Sequence, residues 1–287
     1  MNTLRYQEIT PGFGAIVDGF VPGRLSTQER DQLNHLLDAF VVLVFTGTNL
    51  SEKDQLEFAA VFGEPSKRSR PASDRAEHSE FSDYMGLVTN VRQDGVPIGS
   101  LPDGEMWLHH DGCFIDNPYR ATILYALNVT SSGGETRFVD MRAVYRELSV
   151  QHKYKLNGLV VNHTFDYRHI AKRLVDTSIS SLAKSAAHPA VIRHPRTEEP
   201  ALYVNPLCSV SFETPTPEPQ LDIDLLDFLF QRIETSPFTF SHRWNENDLV
   251  IWDNWASCHA RNDFPAAEVR KLRRSIVAGQ PLDAFQF

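Results

Sequence analysis

Most of the chain alternates apolar and polar positions or runs in short apolar blocks, and helical periodicity is confined to a few stretches. Residues 5–20 read as short strands with turns at Pro11-Gly12 and Asp18-Gly19. Ser26-Thr-Gln-Glu29 is a capping-box pattern that opens an amphipathic helix to about Ala39. Residues 41–45 form a buried strand, and Ser51-Glu-Lys-Asp54 opens a second helix that stops at Gly63. The first third is therefore expected to run strand, helix, strand, helix.

Residues 64–105 are irregular and rich in charge, Gly and Pro, with a strand over 85–90 and a loop over 95–104. Strands follow at 121–129 and after the turn Ser131-Ser-Gly-Gly-Glu-Thr136. Asp140 caps a helix to about Leu148, and 158–165 is another strand. Residues 166–189 are polar and expected to be a partly helical covering insertion. Further strands are expected at 190–194, 201–205, 239–243, 248–252 and 270–279, with one more helix over 218–234. Many short strands with few helices predict a mainly β chain with flanking helices (α+β). A double-stranded β-helix, or jelly roll, is the natural core, because its mouth gathers side chains from strands distant in sequence. We expect one domain over 1–287, with lid-like insertions at about 66–104 and 166–189.

Composition narrows the function. The 287 residues carry 28 Lys and Arg against 37 Asp and Glu, a net charge of −9. That balance argues against a nucleic-acid partner, which calls for a basic surface. No apolar run approaches the length of a membrane span, and the N-terminus lacks the apolar region of a signal peptide. Three cysteines, Cys113, Cys208 and Cys258, are too few and too scattered for a disulfide framework. The expectation is a soluble, cytoplasmic protein with reduced thiols, with self-association left open.

The chemistry gathers around Met106-Trp-Leu-His-His-Asp-Gly-Cys-Phe114. If this stretch is a strand, His109 and Asp111 share a face and His110 points the other way. An imidazole and a carboxylate side by side are two-thirds of a facial triad for non-haem iron. His259, far along the chain, is the best third member. The same donors suit zinc with an open water site, and His–Asp pairs often do no more than hydrogen-bond. Arg270-Lys-Leu-Arg-Arg274 is basic in an acidic chain. As a strand it would place Arg270 and Arg274 on one face, where a buried guanidinium needs a carboxylate partner. A solvated basic strand or an internal salt bridge is the alternative.

With these residues in view, the sequence resembles the taurine dioxygenase and chlorophenoxyacetate dioxygenase family of Fe(II)- and 2-oxoglutarate-dependent oxygenases. The resemblance covers nearly the whole chain. It rests on Phe13-Gly-Ala-Ile-Val-Asp-Gly19, Phe62-Gly-Glu64, the His-x-Asp segment, Gly133-Gly-Glu-Thr136, Leu202-Tyr-Val-Asn205, Trp252-Asp-Asn254 and the terminal arginines, in that order. It implies that His109, Asp111 and His259 bind Fe(II), and that Thr136 and Arg270 grip the distal carboxylate of 2-oxoglutarate. It implies that Arg274 lies near the bound acids and that Trp252 is an aromatic wall near the metal. The reaction implied is hydroxylation of an unactivated C–H of a small anionic substrate, with O2 consumed and 2-oxoglutarate converted to succinate and CO2. Desaturation or cyclisation with the same cofactors, a zinc hydrolase or lyase, and a non-catalytic jelly-roll binding module are the other readings. In halogenase relatives the carboxylate is missing, so Asp111 points to oxygenation. His110 departs from the small polar residue usual between the ligands. Ile98, Leu101, Phe165, Tyr167 and Arg168 are the candidates for a substrate pocket. His163 and His169 are expected to be ordinary polar residues, and Cys113 and Cys258 small buried hydrophobes.

Overall fold

The computed structural model describes residues 4–68, 80–100, 103–166, 183–213 and 219–287, the first four of the last range (219–222) as backbone only. A hairpin of β1 (Arg5–Thr10) and β2 (Phe13–Asp18) leads to α1 (Thr27–Phe40), β3 (Val42–Phe45) and α2 (Glu52–Phe62). Then come β4 (Met85–Thr89), the two-residue strands β5 (Arg92–Gln93) and β6 (Val96–Pro97), β7 (Met106–His109), β8 (Ala121–Asn128) and β9 (Thr136–Asp140). The chain continues through α3 (Met141–Arg146), α4 (Val150–Leu156), β10 (Val160–Phe165), β11 (Lys184–Pro189), β12 (Val191–Arg193), β13 (Pro200–Leu202) and β14 (Ser209–Glu213). It closes with α5 (Pro219–Glu234), β15 (Thr239–His242), β16 (Leu249–Asp253), β17 (Ser257–Arg261), β18 (Lys271–Val277) and β19 (Asp283–Ala284). None of the described helices is long and apolar enough to cross a membrane.

Two sheets face each other in a jelly roll. The larger has the order β1-β2-β3-β16-β8-β18-β4, and the smaller runs β15-β9-β17-β7. The central strands β3 and β16 are buried on both sides, which explains their unbroken apolar runs. Leu43, Phe45, Leu249 and Ile251 point outward to a layer supplied by Leu33 and Leu37 of α1 and Phe58 and Phe62 of α2. Val42, Val44, Val250 and Trp252 point inward and meet Phe138 of β9, so the inter-sheet core is built from alternate residues. The outer face of the smaller sheet is covered by α3 and α5. Both capping boxes form, Ser26 with Glu29 and Ser51 with Asp54.

Several sequence expectations need correction. The helix from Asp140 does not run to Leu148; it ends at Arg146, and Ser149 caps a separate α4. Residues 184–189 are a strand, β11, paired with β10 from Val160↔Pro189 to Phe165↔Lys184. Lys184-Ser-Ala-Ala-His-Pro carries no apolar alternation, so neighbouring backbone, not its own pattern, makes it a strand. Residues 167–182, most of the expected second insertion, lie outside the described residues, as does 69–79 of the first.

Candidate active site

The strand that carries His109 ends there; Asp111 lies on the following turn. The shared face therefore does not come from strand alternation, as the sequence suggested, but from a turn that brings Asp111 back. Gly112 makes this possible, with φ of 75° and a ring edge of Tyr119 only 2.6 Å from where a Cβ would sit. His259, on β17, is the direct cross-strand partner of His109. The three side chains converge: the Nε2 of His109 is 3.7 Å from Asp111 Oδ1, and that of His259 is 3.8 Å from Asp111 Oδ2. One ligand atom from each lies within 4.8 Å of the others.

The surroundings prepare these groups to hold a cation. His109 Nδ1 donates to the Trp107 carbonyl at 2.8 Å, which fixes the ring with its Nε2 toward Asp111. Burial, then the proximity of His109, holds His259 well below the usual imidazole range and therefore neutral. Burial alone would raise Asp111, but Arg274 and then His259 outweigh it and keep the carboxylate well below its ordinary range. Asp111 is oriented by a relay. Trp252 Nε1 donates to Asn254 at 2.9 Å, Asn254 Nδ2 to Thr122 at 3.0 Å, and Thr122 Oγ1 to Asp111 Oδ2 at 2.7 Å. This gives the Trp252-Asp-Asn254 motif its purpose. The same Oδ2 accepts from Arg274 Nη2 at 3.0 Å, leaving Oδ1 open.

One cavity contains the triad together with Thr136, Trp252, Arg270 and Arg274, walled by Val88, Met106 and Leu124. Arg270 precedes β18, which has a bulge between Lys271 and Leu272, yet Arg270 and Arg274 both face this cavity. Arg273 points the other way, donating to Gln55 and to the carbonyls of Leu50 and Ser51. Arg270 is 3% exposed, and its hydrogen-bond acceptor is the Gly134 carbonyl. Among the described residues no carboxylate lies within ion-pair distance of it. Burial, reinforced by Arg261, accordingly pulls the guanidinium down to about 9, with Glu135 opposing. Thr136 Oγ1 accepts from Trp244 Nε1 at 3.0 Å, so its own proton is available to an acceptor in the cavity.

Two imidazoles and a carboxylate with open positions are the donor set of non-haem Fe(II) oxygenases. A buried guanidinium with a hydroxyl beside it suits one end of a diacid. The residues present thus fit both Fe(II) and 2-oxoglutarate. Sequence reasoning missed Thr122, Trp244 and Arg261, and named Asn254 only as part of a motif. Arg261 is signalled by its position two past His259, but Thr122 stands in a strand that gives it no distinguishing mark. His110 points away from the triad, as expected, against Tyr203, Asn205 and Cys258. Phe165 stacks on Phe114 at 4.9 Å, and neither it nor Ile98 lines the cavity. Leu101, Tyr167, Arg168 and His169 lie outside the described residues. His163 is buried beside Ser209, away from the triad, and Cys113, Cys208 and Cys258 are buried thiols.

Residues 5–276 match the family model "Taurine catabolism dioxygenase TauD, TfdA family". An alpha-ketoglutarate-dependent 2,4-dichlorophenoxyacetate dioxygenase from Cupriavidus pinatubonensis is 30% identical over 266 residues, covering 88% of this chain and 90% of its own. Pentalenolactone F synthase from Streptomyces arenae is 29% identical over 289 residues, covering 94% of each. A taurine dioxygenase from Burkholderia xenovorans shares the fold, with a TM-score of 0.80 at 23% identity over 98% of this chain and 91% of that one. So does AAD-2 in complex with Mn(II) and N-oxalylglycine, with a TM-score of 0.79 at 24% identity over 99% and 100%. The chain belongs to the TauD, TfdA family and is an Fe(II)- and 2-oxoglutarate-dependent dioxygenase.

Proposed function

We propose that His109, Asp111 and His259 hold the Fe(II), that Arg270 and Thr136 hold the distal carboxylate of 2-oxoglutarate, and that the enzyme hydroxylates a C–H of a small anionic substrate in the cytoplasm. The observation that carries this reading is the buried charge of Arg270, which lacks a carboxylate partner among the described residues and shares one cavity with the triad. A zinc hydrolase leaves that charge without a purpose.

Fe(II), when bound, supplies the activation of O2 that couples decarboxylation of 2-oxoglutarate to oxidation of the substrate. The chain's own residues do the rest. Arg270, fixed by the Gly134 carbonyl, and Thr136, fixed by Trp244, set the reach of the keto acid toward the triad. Trp252, Leu124 and Val88 present apolar walls that keep bulk water from the reacting groups. Thr122 and Arg274 hold Asp111 as a carboxylate in one orientation.

Arg274 is the group we assign to the substrate's acid. Its side chain is 24% exposed, against 3% for the whole of Arg270, and its Nε is buried without a hydrogen bond among the described residues. The relative named as a 2,4-dichlorophenoxyacetate dioxygenase, and another named as an (S)-phenoxypropionate/alpha-ketoglutarate-dioxygenase, favour an organic acid. The test is succinate formation by the Fe(II)-loaded enzyme with 2-oxoglutarate, O2 and a panel of aryloxy acids, sulfonates and alkyl sulfates. We expect at least one acid to stimulate succinate and to gain one oxygen atom, and Arg274→Gln to raise the KM for that acid far more than the KM for 2-oxoglutarate. Stimulation by neutral compounds alone would overturn the assignment of an anion.

A further inference from the structure

A third arginine lines the same cavity, and its guanidinium reaches out of it. Arg261 ends β17 on the face that carries His259, and directly across the sheet from it stands Thr136. Its Nε donates to the carbonyl of Gly104 at 2.9 Å, and its Nη2 to the carbonyls of Asp103 at 2.8 Å and Gly104 at 2.6 Å. Those carbonyls belong to the segment that leads into Met106, a wall of the cavity, and on to His109.

Phe264 lies between this arginine and Arg270, its ring centre 5.4 Å from the Arg261 Cζ and 5.9 Å from that of Arg270. Two guanidiniums in contact with one buried ring repel each other across a medium that screens poorly. Burial pulls Arg261 down to about 10 although Asp103 and Asp263 oppose the shift, and Arg261 in turn adds to the lowering of Arg270. Two buried guanidiniums therefore stand at this end of the cavity, with Asp103 and Asp263 near Arg261 and Glu135 near Arg270, and Arg261 is tied to a loop.

We infer that Arg261 is a positioning residue that latches the 103–105 segment to the acid-binding end of the cavity, so that a bound keto diacid and a seated entrance to β7 favour each other. This rests on reading Arg270 as the diacid's partner. A dianion at Arg270 relieves the repulsion and lowers the cost of holding Arg261 in place. In return, the clamp on Asp103 and Gly104 holds Met106 against the cavity. Coupling of this kind is reciprocal, so losing the clamp weakens the diacid by the same factor that losing the diacid loosens the clamp.

The test uses the full chain loaded with Mn(II), with and without 2-oxoglutarate. It reads hydrogen exchange of the 104–107 amides and the Kd of 2-oxoglutarate in wild type, Arg261→Gln, Arg261→Lys and Arg92→Ala. In wild type, 2-oxoglutarate slows exchange at 104–107. In Arg261→Gln that protection disappears and binding weakens by about tenfold, within the usual range of coupling energies. Arg261→Lys, which keeps the charge but cannot fork to two carbonyls, falls between. Arg92→Ala removes the exposed ion pair to Asp103 and leaves the Arg261 bonds intact, so it behaves as wild type. Wild-type affinity or wild-type protection in Arg261→Gln overturns the latch; if that variant does not fold, the same result in Arg261→Lys does so. Failure of wild type to bind 2-oxoglutarate at all overturns the reading of Arg270 and the latch with it. Normal wild-type binding with an indifferent Arg261→Gln overturns the latch alone.

Discussion

Arg270 donates twice to one oxygen: its Nε and Nη2 lie 3.1 and 2.9 Å from the carbonyl of Gly134. The contact depends on Gly134 having no side chain. Its φ is +70°, and a Cβ there would lie 2.9 Å from Arg270 Nε. Gly134→Ala should therefore push the guanidinium from its seat and raise the Kd for 2-oxoglutarate by about tenfold or more, while the left-handed backbone costs about 1–2 kcal/mol of stability. Titration of 2-oxoglutarate into the Mn(II) protein, beside a denaturant melt, separates the two effects. A variant that is destabilised yet binds 2-oxoglutarate normally would show that Gly134 does not set the arginine.

Thr122 is the last donor of the relay to Asp111. Thr122→Val keeps the volume and removes the hydroxyl, freeing the carboxylate to rotate. Loss of a bond that orients a ligand typically costs about 10–100-fold in metal affinity. Fe(II) or Mn(II) titration should show that loss with the fold intact; unchanged affinity would reduce the relay to a packing feature.

Arg270 is a buried cation with no carboxylate at ion-pair distance among the described residues. Arg270→Met should leave the apo protein as stable as wild type or more stable, because the desolvated charge is removed along with its hydrogen bonds. It should also abolish stabilisation by 2-oxoglutarate, which in wild type amounts to about 2.7 kcal/mol at one hundred times Kd. Melting curves with and without the keto acid check both halves. A large loss of apo stability would mean that the arginine serves the fold.

Three buried histidines are held below the usual imidazole range: His110 and His188 by burial and then His163, and His259 by burial and then His109. A neutral-held imidazole takes up its proton more readily in the unfolded chain. Stability contributed by such groups is full above the unfolded value near 6.5 and falls as the pH drops below it. Each can contribute a slope of up to about 1.4 kcal/mol per pH unit. The apo protein should therefore lose stability between pH 6.5 and 5.5, before carboxylates titrate, and bound metal should not flatten the decline, because it keeps His259 unprotonated in the folded state just as burial does. A melting temperature independent of pH over that interval would contradict the burial of these rings.

The helices were legible because Ser26 and Ser51 announce themselves three residues ahead of an acid, and the central strands because β3 and β16 are apolar on both faces. The His109, Asp111 and His259 cluster was legible as residue types, but not for the right geometric reason. Asp111 joins His109 through a glycine turn that strand periodicity does not foresee. β11 was invisible because its pairing with β10 supplies what its own side chains lack. Thr122 was equally silent, since a hydroxyl in a buried strand looks the same whether or not it serves a ligand, and Asn254 was read only as part of a motif. Gly134 could be read as part of a motif, whereas its use, letting an arginine approach, needed the third dimension.

The most direct measurement is the charge-transfer absorption that develops when 2-oxoglutarate is added to the anaerobic Fe(II) protein. Wild type should develop it to saturation. Asp111→Ala and His259→Ala should lose it along with the iron, and Arg270→Met should need far more keto acid to reach it. A full-strength band in His259→Ala, or no band in wild type that demonstrably holds iron, would contradict the convergence of these side chains on one ferrous ion with the keto acid beside it.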